Sequence, residues 1–134
     1  GGQYLMVVAD LASLRDPRLD PSDRPRFPDD FVSRLASEAA APAPGTVVWG
    51  GASKGVIFSL LRERHGRPVD AVIDINPAKQ NRYLPGTGLR VSAPEEVLPG
   101  LADGATIYVM NPNYMEEIRE MSGNRFNYVG VGDE

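Results

Sequence analysis

Residues 46–61, TVVWGGASKGVIFSLL, constrain this chain more than any other stretch. A short β-branched run, a turn of small residues and an amphipathic segment read as strand, tight turn and helix. The helix is expected over 54–65, with Val56, Leu60 and Leu61 on one face. The same order recurs downstream. Residues 69–75 read as a second strand, 89–91 as a short third, 94–98 as a helical turn and 105–110 as a further buried strand. Residues 112–121 read as a helix with proline at its first position, where the missing N–H costs nothing. Residues 126–129 close the sheet. Strands alternating with helices imply an α/β fold, a mostly parallel sheet flanked by helices and joined by right-handed crossovers.

Upstream the pattern differs. Residues 3–9 read as a strand, and 10–28, rich in Asp, Arg and Pro, as a linker whose prolines block both helix interiors and ladder pairing. Residues 31–40 read as a helix capped by Asp29 or Asp30 and ended by Ala41-Pro42-Ala43-Pro44-Gly45. The expected division is therefore 1–9, the end strand of a preceding domain, 10–28, a Pro-rich linker, and 29–134, the α/β domain. The chain's 134 residues suffice to bury a core. The net charge of −4 weighs against nucleic acid as a partner. No apolar run approaches the roughly 20 residues of a membrane span, and residues 4–9 are too short and lack the basic lead-in of a secretory leader. The expected compartment is the cytoplasm. With no cysteine and a single histidine, His65, the chain offers no thiolate metal site or cysteine nucleophile, and no His-rich metal site or Ser-His-Asp triad is expected. His65 itself is expected only to meet the end of the helix dipole.

In parallel sheets ligands bind at the carboxyl ends of the strands. Three polar, loop-forming clusters fall there: 50–55, 74–82 and 111–114. A dinucleotide fingerprint wants glycine at its first, third and sixth positions, here Gly50, Ala52 and Gly55. The methyl group of Ala52 hinders close approach of a pyrophosphate, although Asp74 stands where a ribose-binding acid would. Lys54 is neither preceded by Gly nor followed by Ser or Thr, so this is not a Walker loop. A helix start still offers N–H groups and partial positive charge, to which Ser53 and Lys54 add. An anion, phosphate or diphosphate, against Gly50, Gly51, Ser53 and Lys54 is one reading; glycines that serve turn geometry alone are the other. In 74–88, Asn76 turns the chain out of its strand, and Lys79, Arg82 and Tyr83 suit a sugar phosphate or, equally, a solvated loop. Asn111 and Asn113 could hydrogen-bond sugar hydroxyls or cap a helix, and Tyr114 could stack on a ring or pack in the core. Trp49 reads as core.

GGQYLMVVA at 1–9, VVWGGASKGVIFSLL at 47–61, VIDINPAKQNRYLPGTGLRVSAPEEV at 72–97 and YVMNPNYMEEI at 108–118 together resemble the C-terminal domain of S-adenosylmethionine-dependent sugar C-methyltransferases. The resemblance covers the chain apart from the Pro-rich linker. It implies a Rossmann-like domain that follows a zinc-binding region and a central methyltransferase domain. The implied activity is methylation of a carbon of a nucleotide-linked keto-deoxysugar, by proton removal beside the ketone and attack of the enolate on the cofactor's methyl group. S-adenosylmethionine, zinc and the catalytic base would belong to the upstream domains. This domain would hold no cofactor, bind substrate or serve structure, be inactive alone, and partner the upstream domain and the nucleotide sugar. A cofactor loop of that class follows a strand ending in Asp or Glu, whereas Trp49 precedes Gly50 here, so the turn is expected to have given up cofactor binding. Two other classes stay open. One is a free-standing nucleotide- or sugar-binding module of a larger assembly. The other is an oxidoreductase-like domain using NAD, supported by Gly50, Gly55 and Asp74.

Overall fold

Strands buried on both faces read as continuous apolar runs, and this is what places two of them at the centre of the sheet. β1 (Thr46–Trp49) and β4 (Thr106–Val109) are buried at every position and pair in parallel. The computed structural model describes residues 31–43 and 45–132, with the single positions Met6, Val8, Asp10 and Ala12. Apart from those single positions, the strand expected at 3–9, the linker at 10–28 and the cap at Asp29 or Asp30 lie outside the described residues. β2 (Ala71–Ile73), β3 (Val91–Ser92) and β5 (Asn127–Gly130) complete a five-stranded, all-parallel sheet in the order β3-β2-β1-β4-β5. This is the Rossmann-like α/β fold the sequence predicts.

Alternation along the strands divides the core in two. Val48, Val72 and Tyr108 face α1 (Phe31–Ala40) and α2 (Ser53–Arg64), with the Phe58 and Tyr108 ring centroids 4.8 Å apart. Val47, Trp49, Ile73, Ile107 and Val109 pack on the other face with Ile118 of α4 (Met115–Met121). Val97, in α3 (Pro94–Val97), and Leu98 of the 3-10 turn that follows it also join this second layer.

Several element bounds differ from expectation, each for a local reason. β2 spans less than 69–75; just past its end the Asp74 N–H still donates to Ser92 O at 3.1 Å, while its side chain takes the Gly51 and Asn76 N–H groups and the chain turns away. β3 starts at Val91 rather than 89, because Leu89 closes a hairpin in which the Leu84 N–H donates to Leu89 O at 2.8 Å. The helix expected over 112–121 opens as a 3-10 turn, Pro112–Tyr114, whose Asn113 N–H is held by the Asn111 side chain at 3.2 Å.

The buried face of α2 also differs. Gly55, Phe58, Ser59 and Arg62 are buried, while Val56 and Leu61 form its margin and Leu60 lies against Gly86. Arg62 is the reason. Its side chain, 2% exposed, donates from Nη1 to Ala39 O (3.2 Å) and Ala41 O (2.6 Å) and from Nη2 to the Thr46 hydroxyl (3.0 Å), 5.6 Å from the Tyr108 ring centroid. Carbonyls at the end of α1 carry the negative end of its dipole. They pair with Nη1 of a buried cation, whose Nε has no hydrogen-bond partner among the described residues, and fasten α1 to the sheet.

Candidate functional site

β1 leads to α2 on one face and β4 leads to α4 on the other. Their neighbouring carboxyl ends therefore part into a crevice, the topological switch point where open α/β sheets bind ligands. A cleft of about 460 Å³ opens there. Trp49, Met110 and Ile118 form an apolar floor, and Ile75, Tyr114 and Met121 a rim, all three about half exposed. Lys54, Asp74, Lys79, Asn111 and Glu117 supply the polar groups.

The glycine turn is built by close contacts. Gly50 has φ +120°, and a Cβ there would lie 3.0 Å from Met110 Cβ. A Cβ on Gly55 would lie 2.0 Å from Gly50 O, so α2 begins directly against the turn. These two glycines serve geometry. Gly51 does something else: its N–H donates to Asp74 Oδ2 at 2.9 Å. Asp74 is 5% exposed, and the same oxygen accepts from Lys79 Nζ at 2.9 Å while Oδ1 accepts the Asn76 N–H at 2.9 Å. The expected free N–H of Gly51 is therefore occupied, because the end of β2 lies beside the turn and brings a carboxylate to it.

The structure brings Gly50, Lys54, Lys79, Asn111 and Tyr114 together around the cleft. Lys54 Nζ also donates to Val131 O at 3.2 Å. The other expected residues lie elsewhere. Ser53 opens α2 outside the cleft lining and is exposed. Asn76 accepts the Ala78 N–H at 3.0 Å, closing its own turn. Asn113 is exposed, its N–H held by Asn111. Arg82 and Tyr83 sit on the hairpin arm: Arg82 O accepts the Val91 N–H at 2.8 Å, and Tyr83 is 68% exposed. That hairpin places them outside the residues that line the cleft.

Sequence reasoning missed Trp49, Ile75, Met110, Glu117, Ile118 and Met121 as lining residues. A signal was present for part of this set. Tyr114, Glu117, Ile118 and Met121 recur at helical spacing and so share one face. Trp49 and Met110 immediately precede the two loop clusters, Gly50 and Asn111.

Asp74, which stands where a ribose-binding acid would, holds three donors, and β1 ends in Trp49 where a methyltransferase cofactor loop would follow an acid. Among the described residues, no three His, Cys, Asp or Glu side chains gather as metal ligands, and no helix is long and apolar enough to cross a membrane.

The sequence profile of the C-methyltransferase C-terminal domain matches residues 28–130. The chain belongs to this family. In this C-methyltransferase C-terminal domain the match takes in α1, the whole sheet and every residue of the cleft. No curated protein matches the chain. A solved structure described as RSP in complex with beta-NAD+ and operator DNA is similar over 64% of this chain, with 14% identity and a TM-score of 0.44. The chain spans 49%, about half, of that structure's length.

Proposed function

We propose that this C-methyltransferase C-terminal domain forms one wall of the substrate site of an S-adenosylmethionine-dependent enzyme that methylates a carbon of a nucleotide-linked keto-deoxysugar. The observation that carries the reading is the cleft at the switch point, with an apolar floor of Trp49 and Met110 and a polar rim that includes Lys54, Lys79 and Asn111. Such a lining suits a ligand with ring faces, hydroxyls and negative charge. Tyr114, 47% exposed at the rim, offers a face on which a ring can stack. Lys54 brings an ammonium group to the same cleft, Lys79 one that is paired with Asp74, and Asn111 an amide. In this reading the domain's residues bind and orient substrate, and none of them takes the proton beside the ketone.

S-adenosylmethionine, held by an upstream domain, would supply the methyl group, and zinc would belong upstream as well. The partners are then the upstream domain and the nucleotide sugar. The reading carries a cytoplasmic location with it, because activated sugars and this cofactor are intracellular metabolites. Calorimetric titration of the chain with a nucleotide-diphosphate sugar, with S-adenosylmethionine and with NAD tests it. Saturable heat is expected from the nucleotide sugar alone. Micromolar binding of S-adenosylmethionine or NAD, with the nucleotide sugar silent, would reassign the cleft to a cofactor.

A further inference from the structure

We infer that Asp74 bars phosphate from the glycine turn and makes its side of the cleft a site for an uncharged, hydroxyl-bearing part of the ligand. This deepens the nucleotide-sugar reading above and rests on it. A glycine turn at the start of a helix is an ordinary phosphate cradle, because its N–H groups and the helix dipole both favour an anion. Here the anion is already built in. Asp74 Oδ2 takes the Gly51 N–H at 2.9 Å, the donor a phosphate would need. Lys79, the nearby cation that would draw a phosphate, is bound to that same oxygen at 2.9 Å.

Charge decides the exclusion. With its residue 5% exposed, the Asp74 carboxylate is poorly screened by water. An incoming phosphate at the turn would meet its like charge, offset in part by Lys79 Nζ at 2.9 Å, and would have to displace this ion pair from the Gly51 N–H. What the carboxylate can still do is accept. An ionised carboxylate has about four lone-pair sites; the Gly51 N–H, the Lys79 ammonium and the Asn76 N–H fill three of them. Asp74 lines the cleft, so its remaining capacity is offered to a donor within it. A neutral hydroxyl meets that demand without the repulsion. Trp49, on the cleft floor, supplies the apolar surface that the C–H face of a sugar or ribose ring would cover. The diphosphate of the ligand then lies away from Gly51.

Backbone amide resonances of Gly50, Gly51 and Ser53 in the 134-residue chain report the turn directly, with inorganic pyrophosphate as the probe. In the wild type these amides stay unmoved through millimolar pyrophosphate. Asp74→Asn removes the charge and releases Lys79, and should bind pyrophosphate at the turn at least tenfold more tightly, about 1.4 kcal/mol. Asp74→Ser, whose shorter side chain leaves the Gly51 N–H, should show the same gain if the Asn variant folds poorly. Saturable movement of these amides in the wild type, or a folded Asp74 variant with unchanged pyrophosphate affinity, overturns the inference. A nucleotide-diphosphate sugar titrated in parallel is read at Met110 and Tyr114. Silence there refutes the nucleotide-sugar reading and leaves the pyrophosphate result standing as a property of the turn.

Discussion

Replacing Gly55 with alanine separates a turn built for packing from one kept for binding. The new Cβ would lie 2.0 Å from Gly50 O, 3.2 Å from Gly50 C and 3.4 Å from Val48 Cγ1. An ordinary carbon–oxygen contact is about 3.3 Å, so α2 must retreat by roughly 1 Å or the Gly50 peptide must turn. The peptide is not free to turn: Gly50 has φ +120° and its N–H donates to Ile73 O at 2.8 Å. Retreat of α2 loosens Phe58 from Tyr108 and strains the three hydrogen bonds of Arg62. Alanine returns about 1 kcal/mol of helix propensity. Against it stand overpacking of about 1–3 kcal/mol and weakened hydrogen bonds of about 0.5–1.5 kcal/mol each. The expected net loss is about 2–4 kcal/mol. Gly100→Ala is the control, because nothing lies within 4 Å of a Cβ there and its φ is not in the left-handed region; it should stay within about 0.5 kcal/mol of the wild type. Urea unfolding followed by circular dichroism measures both variants. A Gly55→Ala chain as stable as the Gly100→Ala control would refute the contact between helix and turn.

Arg62→Met keeps bulk but strips the donors from two carbonyls and the Thr46 hydroxyl; a loss of about 2–4 kcal/mol is expected by urea unfolding, and wild-type stability would mean that α1 is not fastened this way. Tyr114→Ala should weaken nucleotide-sugar binding about tenfold, some 1.4 kcal/mol, at nearly unchanged melting temperature. Arg82→Ala should change neither quantity, since Arg82 lies on the hairpin outside the cleft lining; weakened binding in that variant would move the site onto the hairpin. In the full-length enzyme Lys54→Ala should raise KM for the nucleotide sugar and leave kcat close to wild type, the pattern of a lost ground-state contact; a fall in kcat at constant KM would argue against a binding role.

Local chemistry was legible in the sequence. Period and turn residues act within a few positions, so TVVW, GGASKG and ATIYVM announced strand, turn and strand, and the helix at Phe31–Ala40 was placed at its observed bounds. The α/β order followed from their alternation, and the segments at 72–97 and 108–118 carried the family. Even the face of α4 that lines the cleft was implicit in the spacing of Tyr114, Ile118 and Met121. What no local pattern contains is the identity of a neighbour across the sheet. Pairing of β1 with β4 sets Trp49 and Gly50 beside Met110 and Asn111 and opens the cleft between them. Pairing of β1 with β2 delivers Asp74 to the Gly51 N–H and turns an expected anion cradle into a satisfied one. The docking of α1 buries Arg62, an arginine that a helical pattern assigns to solvent. A hairpin closed by Leu84 and Leu89 carries Arg82 and Tyr83 away from residues only a few positions before them. An N–H or a guanidinium takes whichever acceptor packing brings within reach, and that distance exists only once the chain has folded.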